Sequence, residues 1–242
     1  MTDTIRIAVF DIGYKNYAFY VEEFSISKLK ELCVYEDIFP DDGSNVKKKN
    51  FPKQIQSDVL KKLYANGKSI EMVNTSLVKY VDPSSIKFNP FQSKFSKGKQ
   101  HFLNQDLFLA LTEHLDSYMD LWCTCSGFFI EEQVKWNKLA QRLEQHTYSY
   151  FTIKFPFQPT GIFPSPNKTK ILLAPKYTKA ERKKKLHKKW AVVKAQEILK
   201  GRGEIGFLID KMLSLKGKND DLSDCIIMLQ AVKYRIFIDR AF

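Results

Sequence analysis

Two short runs of strand-forming apolar residues end on carboxylates, and this pairing constrains the fold of the chain more than any other feature. Residues 5 to 11 read IRIAVFD and stop at Asp11; Gly127 introduces FFIEEQ, residues 128 to 133, which stops at Glu131 and Glu132. Ile7 to Phe10 and Phe128 to Ile130 are apolar at consecutive positions, rather than at alternate ones, which suits a strand covered on both faces. Taken singly, the acids have simple explanations. Asp11 within Asp-Ile-Gly could be turn chemistry, accepting backbone N–H bonds, and Glu131 and Glu132 could be a solvated strand end.

A third acidic group changes the balance. Residues 219 to 237, NDDLSDCIIMLQAVKYRIF, read as a helix with acids in its first turn and an apolar body. Acids there complement the helix dipole without further purpose. Yet Asp221 and Asp224 are three apart and share one face, with Met228 continuing that stripe towards a core. In open α/β sheets chemistry collects at strand ends, so Asp11 and Glu131 on neighbouring strands, facing Asp221 and Asp224, make a shared acidic cleft the expected arrangement.

The order of elements suits a mixed α/β sheet covered by helices. Residues 5 to 11, 17 to 24 and 32 to 39 are expected to form an antiparallel meander. Residues 104 to 122 place Phe108, Leu111, Leu115, Met119 and Trp122 at helical spacing behind Asn104 as N-cap. A second helix is expected over 134 to 151, with Val134, Leu139, Leu143, Tyr150 and Phe151 along it, and a brief strand at 160 to 166 (TGIFPSP), stopped by two prolines. Residues 40 to 103, polar and interrupted by Pro52, Pro83 and Pro90, read as an insertion with a short helix at about 53 to 65. The whole, 1 to 242, is expected to be one domain.

Charge narrows the partners. The chain carries 39 Lys and Arg against 27 Asp and Glu, a net +12, which points to a polyanion. Between 168 and 202 there are thirteen Lys or Arg against Glu181 and Glu197 alone, a surplus of eleven. No stretch has the length and apolarity of a membrane span, and MTDTIRIAVFD leaves no room for a leader, so a soluble cytoplasmic or nuclear protein is expected. The four cysteines, Cys33, Cys123, Cys125 and Cys225, lack zinc-ligand spacing and read as reduced, mostly buried thiols.

Four carboxylates raise one another's pKa if they crowd together undiluted. Hard cations relieve this, and oxygen-only ligands suit Mg²⁺ or Mn²⁺.

The segments FDIGYKN (10 to 16), FIEEQ (129 to 133), SPNK (165 to 168) with KKWAVVKA (188 to 195), and NDDLSD (219 to 224) resemble the RuvC-type Holliday junction resolvases of the RNase H-like superfamily. The likeness is strongest to those of poxviruses and other large DNA viruses, with mitochondrial resolvases as cousins. It implies an RNase H-like five-stranded mixed sheet, a meander followed by parallel strands, flanked by helices. It further implies that Asp11, Glu131, Asp221 and Asp224 hold two divalent ions, with Asp11 bridging. Glu131 rather than Glu132 matches, because the family's acid stands two residues before the glutamine, here Gln133. A lysine that assists catalysis matches Lys189 or Lys188. DNA contacts are expected from Lys15, Lys168, Lys170, Arg182, Lys183, Lys184 and Lys185, with Phe51, Phe88, Phe91, Tyr177 and Trp190 as candidate wedges at a junction. The activity implied is paired, symmetric cutting of four-way DNA junctions to leave 5′-phosphates, by a homodimer, in the host-cell cytoplasm if the chain is viral.

Other classes compete. An actin-like ATPase shares the opening Asp-x-Gly but would carry a second glycine-rich phosphate loop, and none of the ten glycines forms one. A nuclease of RNA/DNA hybrids or a transposase-like enzyme is closer, and a non-catalytic DNA-binding module would satisfy the charge alone.

Overall fold

A computed structural model of the chain describes residues 3–13, 15–32, 53–77, 105–204, 206 and 220–238. Strand β1 (Thr4–Asp11) runs antiparallel to β2 (Tyr17–Ser25), from Thr4 opposite Ser25 to Asp11 opposite Ala18. Strand β3 (Lys68–Thr75) pairs antiparallel with the outer edge of β2. On the other side, β4 (Gly127–Glu131) lies parallel to β1, and β5 (Thr160–Phe163) parallel to β4. The order across the sheet is β3-β2-β1-β4-β5.

The consecutive apolar residues Ile7 to Phe10 of β1 and Phe128 to Ile130 of β4 have the expected cause, since both faces of the sheet are covered there. Ile7 and Val9 of β1 and Phe129 of β4 face one layer, built from α1 (Ile26–Leu32), α2 (Lys53–Ala65), α8 (Leu186–Gly201) and α9 (Asp220–Lys233). Ala8 and Phe10, with Phe128 and Ile130, face the other, built from α3 (Gln105–Asp116), α4 (Met119–Trp122) and α5 (Lys138–Lys154). There Phe10, Trp122, Phe128 and Phe151 form an aromatic cluster, with Phe128 and Phe151 stacked at 4.1 Å. Helices α6 (Ser165–Ile171) and α7 (Lys179–Lys183) link β5 to α8. Helix α9 is buried almost all round, and a π-helical turn (Tyr234–Ile238) continues it.

Several expectations shift. The third strand of the meander is β3, drawn from the stretch read as an insertion; of the run 32 to 39, Leu32 closes α1 and the rest lies outside the described residues. The helix at 53 to 65 is present as α2. The helix expected over 104 to 122 divides at Ser117 and Tyr118 into α3 and α4, and Asn104 lies outside the described residues. Helix α5 begins at Lys138 rather than 134, because Asn137 caps it: its side-chain oxygen accepts the Ala140 N–H at 3.2 Å. Cys125 and Cys225 are buried free thiols, Cys123 is exposed, and Cys33 lies outside the described residues. Among the described residues no helix is long and apolar enough to cross a membrane.

Candidate active site

Strand parity aims the first two acids. Side chains two apart share a face, so Asp11 follows Ile7 and Val9, and Glu131 follows Phe129, towards the layer that holds α9. One residue beyond the Phe10–Ile130 pairing, the two acids end adjacent parallel strands side by side. Glu131 is 6% exposed while Glu132 points to solvent. Helix α9 delivers Asp220, Asp221 and Asp224 in and just beyond its first turn.

A cation sits among them. Lys168 of α6 is buried, and its Nζ lies 3.0 Å from Glu131 Oε2 and 3.0 Å from Asp224 Oδ1. Pro164 and Pro166 bracket the first turn of α6 and help start the short helix there. Ile171 and Leu172 then anchor it in the core shared with α9.

The electrostatics are those of a cluster short of positive charge. Desolvation pushes the Asp11 carboxyl well above the ordinary range, Glu131, Asp224 and Asp221 push it further, and Lys168 opposes them. Asp221 is raised to about 6 by burial and by Asp220, with Asn74 of β3 hydrogen-bonded to it. Burial also raises Asp224, partly offset by Lys168. Burial alone would lower the Lys168 ammonium, but the charges of Glu131, Asp224 and Asp11 outweigh it and hold the proton on.

These donors suit a hard divalent cation in kind: all are carboxylate oxygens, and Asp221 Oδ2 is buried without a hydrogen-bond partner. Among the described residues, however, no three His, Cys, Asp or Glu side chains are already disposed around a common metal position.

The remaining predicted residues surround this centre or lie apart from it. Lys188 of α8 forms an ion pair with Asp220, and Lys189 beside it faces solvent. Lys15 is exposed in the turn after β1; Lys170, Lys184 and Lys185 are exposed along α6 to α8; the side chains of Arg182 and Lys183 lie outside the described set. Lys168, counted from sequence among the DNA contacts, is instead packed inside the acidic cluster. Of the candidate wedges, Trp190 packs partly against the core and Tyr177 is half-buried, while Phe51, Phe88 and Phe91 lie outside the described residues. Sequence reasoning missed Asn74, which lies in the stretch read as an insertion, and the structure alone distinguishes Lys168 from its twelve basic neighbours.

The sheet order, the strand directions and the helical layers on both faces define an RNase H-like fold, with an acidic cleft at the tips of its two central parallel strands. No protein-family model matches the chain. It is similar to uncharacterized protein 97L of Invertebrate iridescent virus 3, 29% identical over 229 residues that span 93% of this chain and 98% of that one. It is also similar to uncharacterized protein 170L of Invertebrate iridescent virus 6, 26% identical over 260 residues, 98% of this chain and 92% of that one. Among solved structures, Thermus thermophilus RuvC aligns over 96% of both chains at 11% identity, with a TM-score of 0.46. The yeast mitochondrial Holliday junction resolvase Ydc2 aligns over 98% of this chain and 86% of that one at 13% identity, also with a TM-score of 0.46.

Proposed function

We propose that this chain is a metal-dependent DNA endonuclease that cuts branched DNA, four-way junctions above all, by paired hydrolysis leaving 5′-phosphates. One observation supports the reading: Asp11 and Glu131 end adjacent parallel strands, and Lys168 Nζ lies 3.0 Å from both Glu131 and Asp224, the latter on the helix that also carries Asp221. A structural role explains such convergence poorly, because gathering like charges in a partly desolvated cleft is costly.

Asp11, Glu131, Asp221 and Asp224 would hold the cations, Mg²⁺ or Mn²⁺ and two per site. Bound there, such ions supply an activated water and charge stabilisation for the leaving oxygen. Lys188, ion-paired with Asp220, or Lys189 next to it in the sequence, would place positive charge near a phosphate undergoing attack. Lys15, Lys170, Arg182, Lys183, Lys184 and Lys185 would bind backbone phosphates without regard to sequence. Symmetric incision of a four-way junction needs two such sites facing opposite strands, hence a homodimer with two-fold symmetry. The work would be done on DNA in the cytoplasm or nucleus.

Two alternatives remain on chemical grounds. Lys168 seated between two of the acids suits a DNA-binding module that does not cut, and the same cleft would also serve a nuclease of RNA/DNA hybrids. Incubation of the protein with a four-way junction, a linear duplex and an RNA/DNA hybrid, in Mg²⁺ or EDTA, separates the three. Paired nicks on the junction that need Mg²⁺ and vanish in Asp11→Asn are expected. Binding without cleavage in any metal would leave the silent module, and preferential cutting of the hybrid would reassign the substrate.

A further inference from the structure

Lys168 contributes the only ammonium in contact with both Glu131 and Asp224 among the described residues, and it is 6% exposed. A lysine that binds DNA phosphates needs its head in solvent. This one has its head at 3.0 Å from each of two carboxylates, with Asp11 near enough to add to their pull. A buried cation in that position does what a bound metal ion would do, since it cancels charge between acids that otherwise repel.

We propose that Lys168 is a built-in counter-cation: it holds Glu131 and Asp224 together in the metal-free protein, and a divalent ion must displace it from their bridge in order to bind. The inference rests on reading the acids as metal ligands. It makes Lys168 a positioning residue that sets the metal affinity of the cleft. Its chemistry is plain competition. One ammonium leaves contacts with two carboxylates, a doubly charged ion takes both, and the difference fixes how much free cation is required.

The test uses the full chain without DNA. Titration calorimetry with MnCl₂ is run on the wild type, on Lys168→Met, which keeps the length and removes the charge, and on Lys168→Arg, which keeps the charge. Removing a positive charge from the cluster is expected to tighten Mn²⁺ binding in the Met variant by roughly tenfold. It is also expected to lower the Tm of the metal-free protein, and to enlarge the rise in Tm on adding Mn²⁺. The Arg variant should stay near the wild type.

A readout without substitution accompanies it, namely acetylation of lysines by an N-hydroxysuccinimide ester, read by mass spectrometry with and without Mn²⁺. Lys168 should be protected without metal and labelled faster with it. If the Met variant fails to fold in either condition, the labelling decides. Unchanged or weaker Mn²⁺ binding by a folded Met variant, absence of Mn²⁺ binding by both proteins, or protection of Lys168 that Mn²⁺ does not alter would each overturn the assignment. Metal-dependent cutting of junctions by the wild type alongside such a result would leave the nuclease standing. A gain in Mn²⁺ affinity with no cutting of any nucleic acid would spare the counter-cation and remove the nuclease.

Discussion

Arg202 grips Glu22 with two parallel contacts, Nη1 to Oε2 at 2.9 Å and Nη2 to Oε1 at 3.1 Å, with both side chains buried. Lys233 Nζ and Gln230 Nε2 each donate to the same carboxylate at 2.7 Å, and the Tyr20 hydroxyl donates at 3.0 Å. Surplus donors find backbone oxygens: Arg202 Nε at Tyr64, Lys233 Nζ at Leu63 and Asn66. The network ties β2 to the ends of α2, α8 and α9, and it leaves no room beside Gly67, where an added Cβ would collide with Glu22 Oε1. Burial alone would raise the Glu22 carboxyl, but Arg202 and Lys233 prevail and hold it below its usual range. Glu22→Gln removes the carboxylate shared by two buried cations and, among the described residues, leaves Arg202 only its longer ion pair with Glu204 at 3.9 Å, so it is expected to cost about 3–5 kcal/mol. Urea unfolding checks this, and a loss under about 1 kcal/mol would class the network with surface pairs.

His114 of α3 makes the stability depend on pH. Its ring packs against Tyr17, Phe19 and Tyr118 at centroid distances of 5.7, 6.2 and 5.4 Å. Burial lowers its pKa from 6.5 to about 4. Between those values the unfolded chain takes up a proton that the folded chain does not, so stability is present above pH 6.5 and is lost as pH falls towards 4. The effect of this one residue is on the order of 2–3 kcal/mol. His114→Phe is expected to flatten the profile in that window, measured as the urea midpoint at pH 7 and pH 4.5. An unchanged difference between the two pH values would place the acid sensitivity elsewhere.

What the sequence disclosed, and what it hid, follows from the same physics. β1 and β4 were legible because burial on both faces makes Ile7 to Phe10 and Phe128 to Ile130 apolar at consecutive positions, and their parity then aims Asp11 and Glu131 at one layer. Asp221 and Asp224 were legible from their spacing. β3 was not: KSIEMVNT is a half-exposed edge strand with only Met72 buried, and it pairs with β2 across the intervening residues 26 to 67. Residues 26 to 31 lie in the gap between the strands expected at 17 to 24 and 32 to 39, yet with Leu32 they form α1, burying Leu29 and Leu32. Lys168 was hidden among thirteen basic residues, since its burial depends on how α6 docks on α9 and on nothing local.

Trp136 is 84% exposed in the turn between Glu131 and α5, with Val134 44% exposed nearby. The turn is held at both ends. Glu144 Oε2 accepts the Gln133 N–H, Gln133 Nε2 donates to the Glu131 carbonyl at 3.2 Å, and Asn137 caps α5. An indole displayed on an anchored turn beside the acids offers a flat face to an unpaired base, a contact worth about 1–3 kcal/mol. Trp136→Ala is expected to weaken binding to a four-way junction roughly tenfold, in EDTA by gel shift, and binding to linear duplex far less. Equal losses on both DNAs would argue against base stacking.

The basic segment makes a prediction about salt. Lys170 and Lys184 are exposed, as is Lys185, but Lys185 has φ of 57°, so a change there would also disturb the turn that starts α8. Lys170→Gln with Lys184→Gln is therefore the cleaner pair. Removing one lysine–phosphate pairing lowers the slope of log K against log salt by about 0.9 for duplex DNA, so the double variant should reduce it by about 2. The measurement is junction and duplex affinity between 50 and 200 mM NaCl, a range over which such pairings change affinity by about an order of magnitude or more. Both DNAs should show the same reduction in slope, because phosphate contacts carry no information about structure or sequence. An unchanged slope would mean that these lysines face solvent and that the DNA lies along another surface.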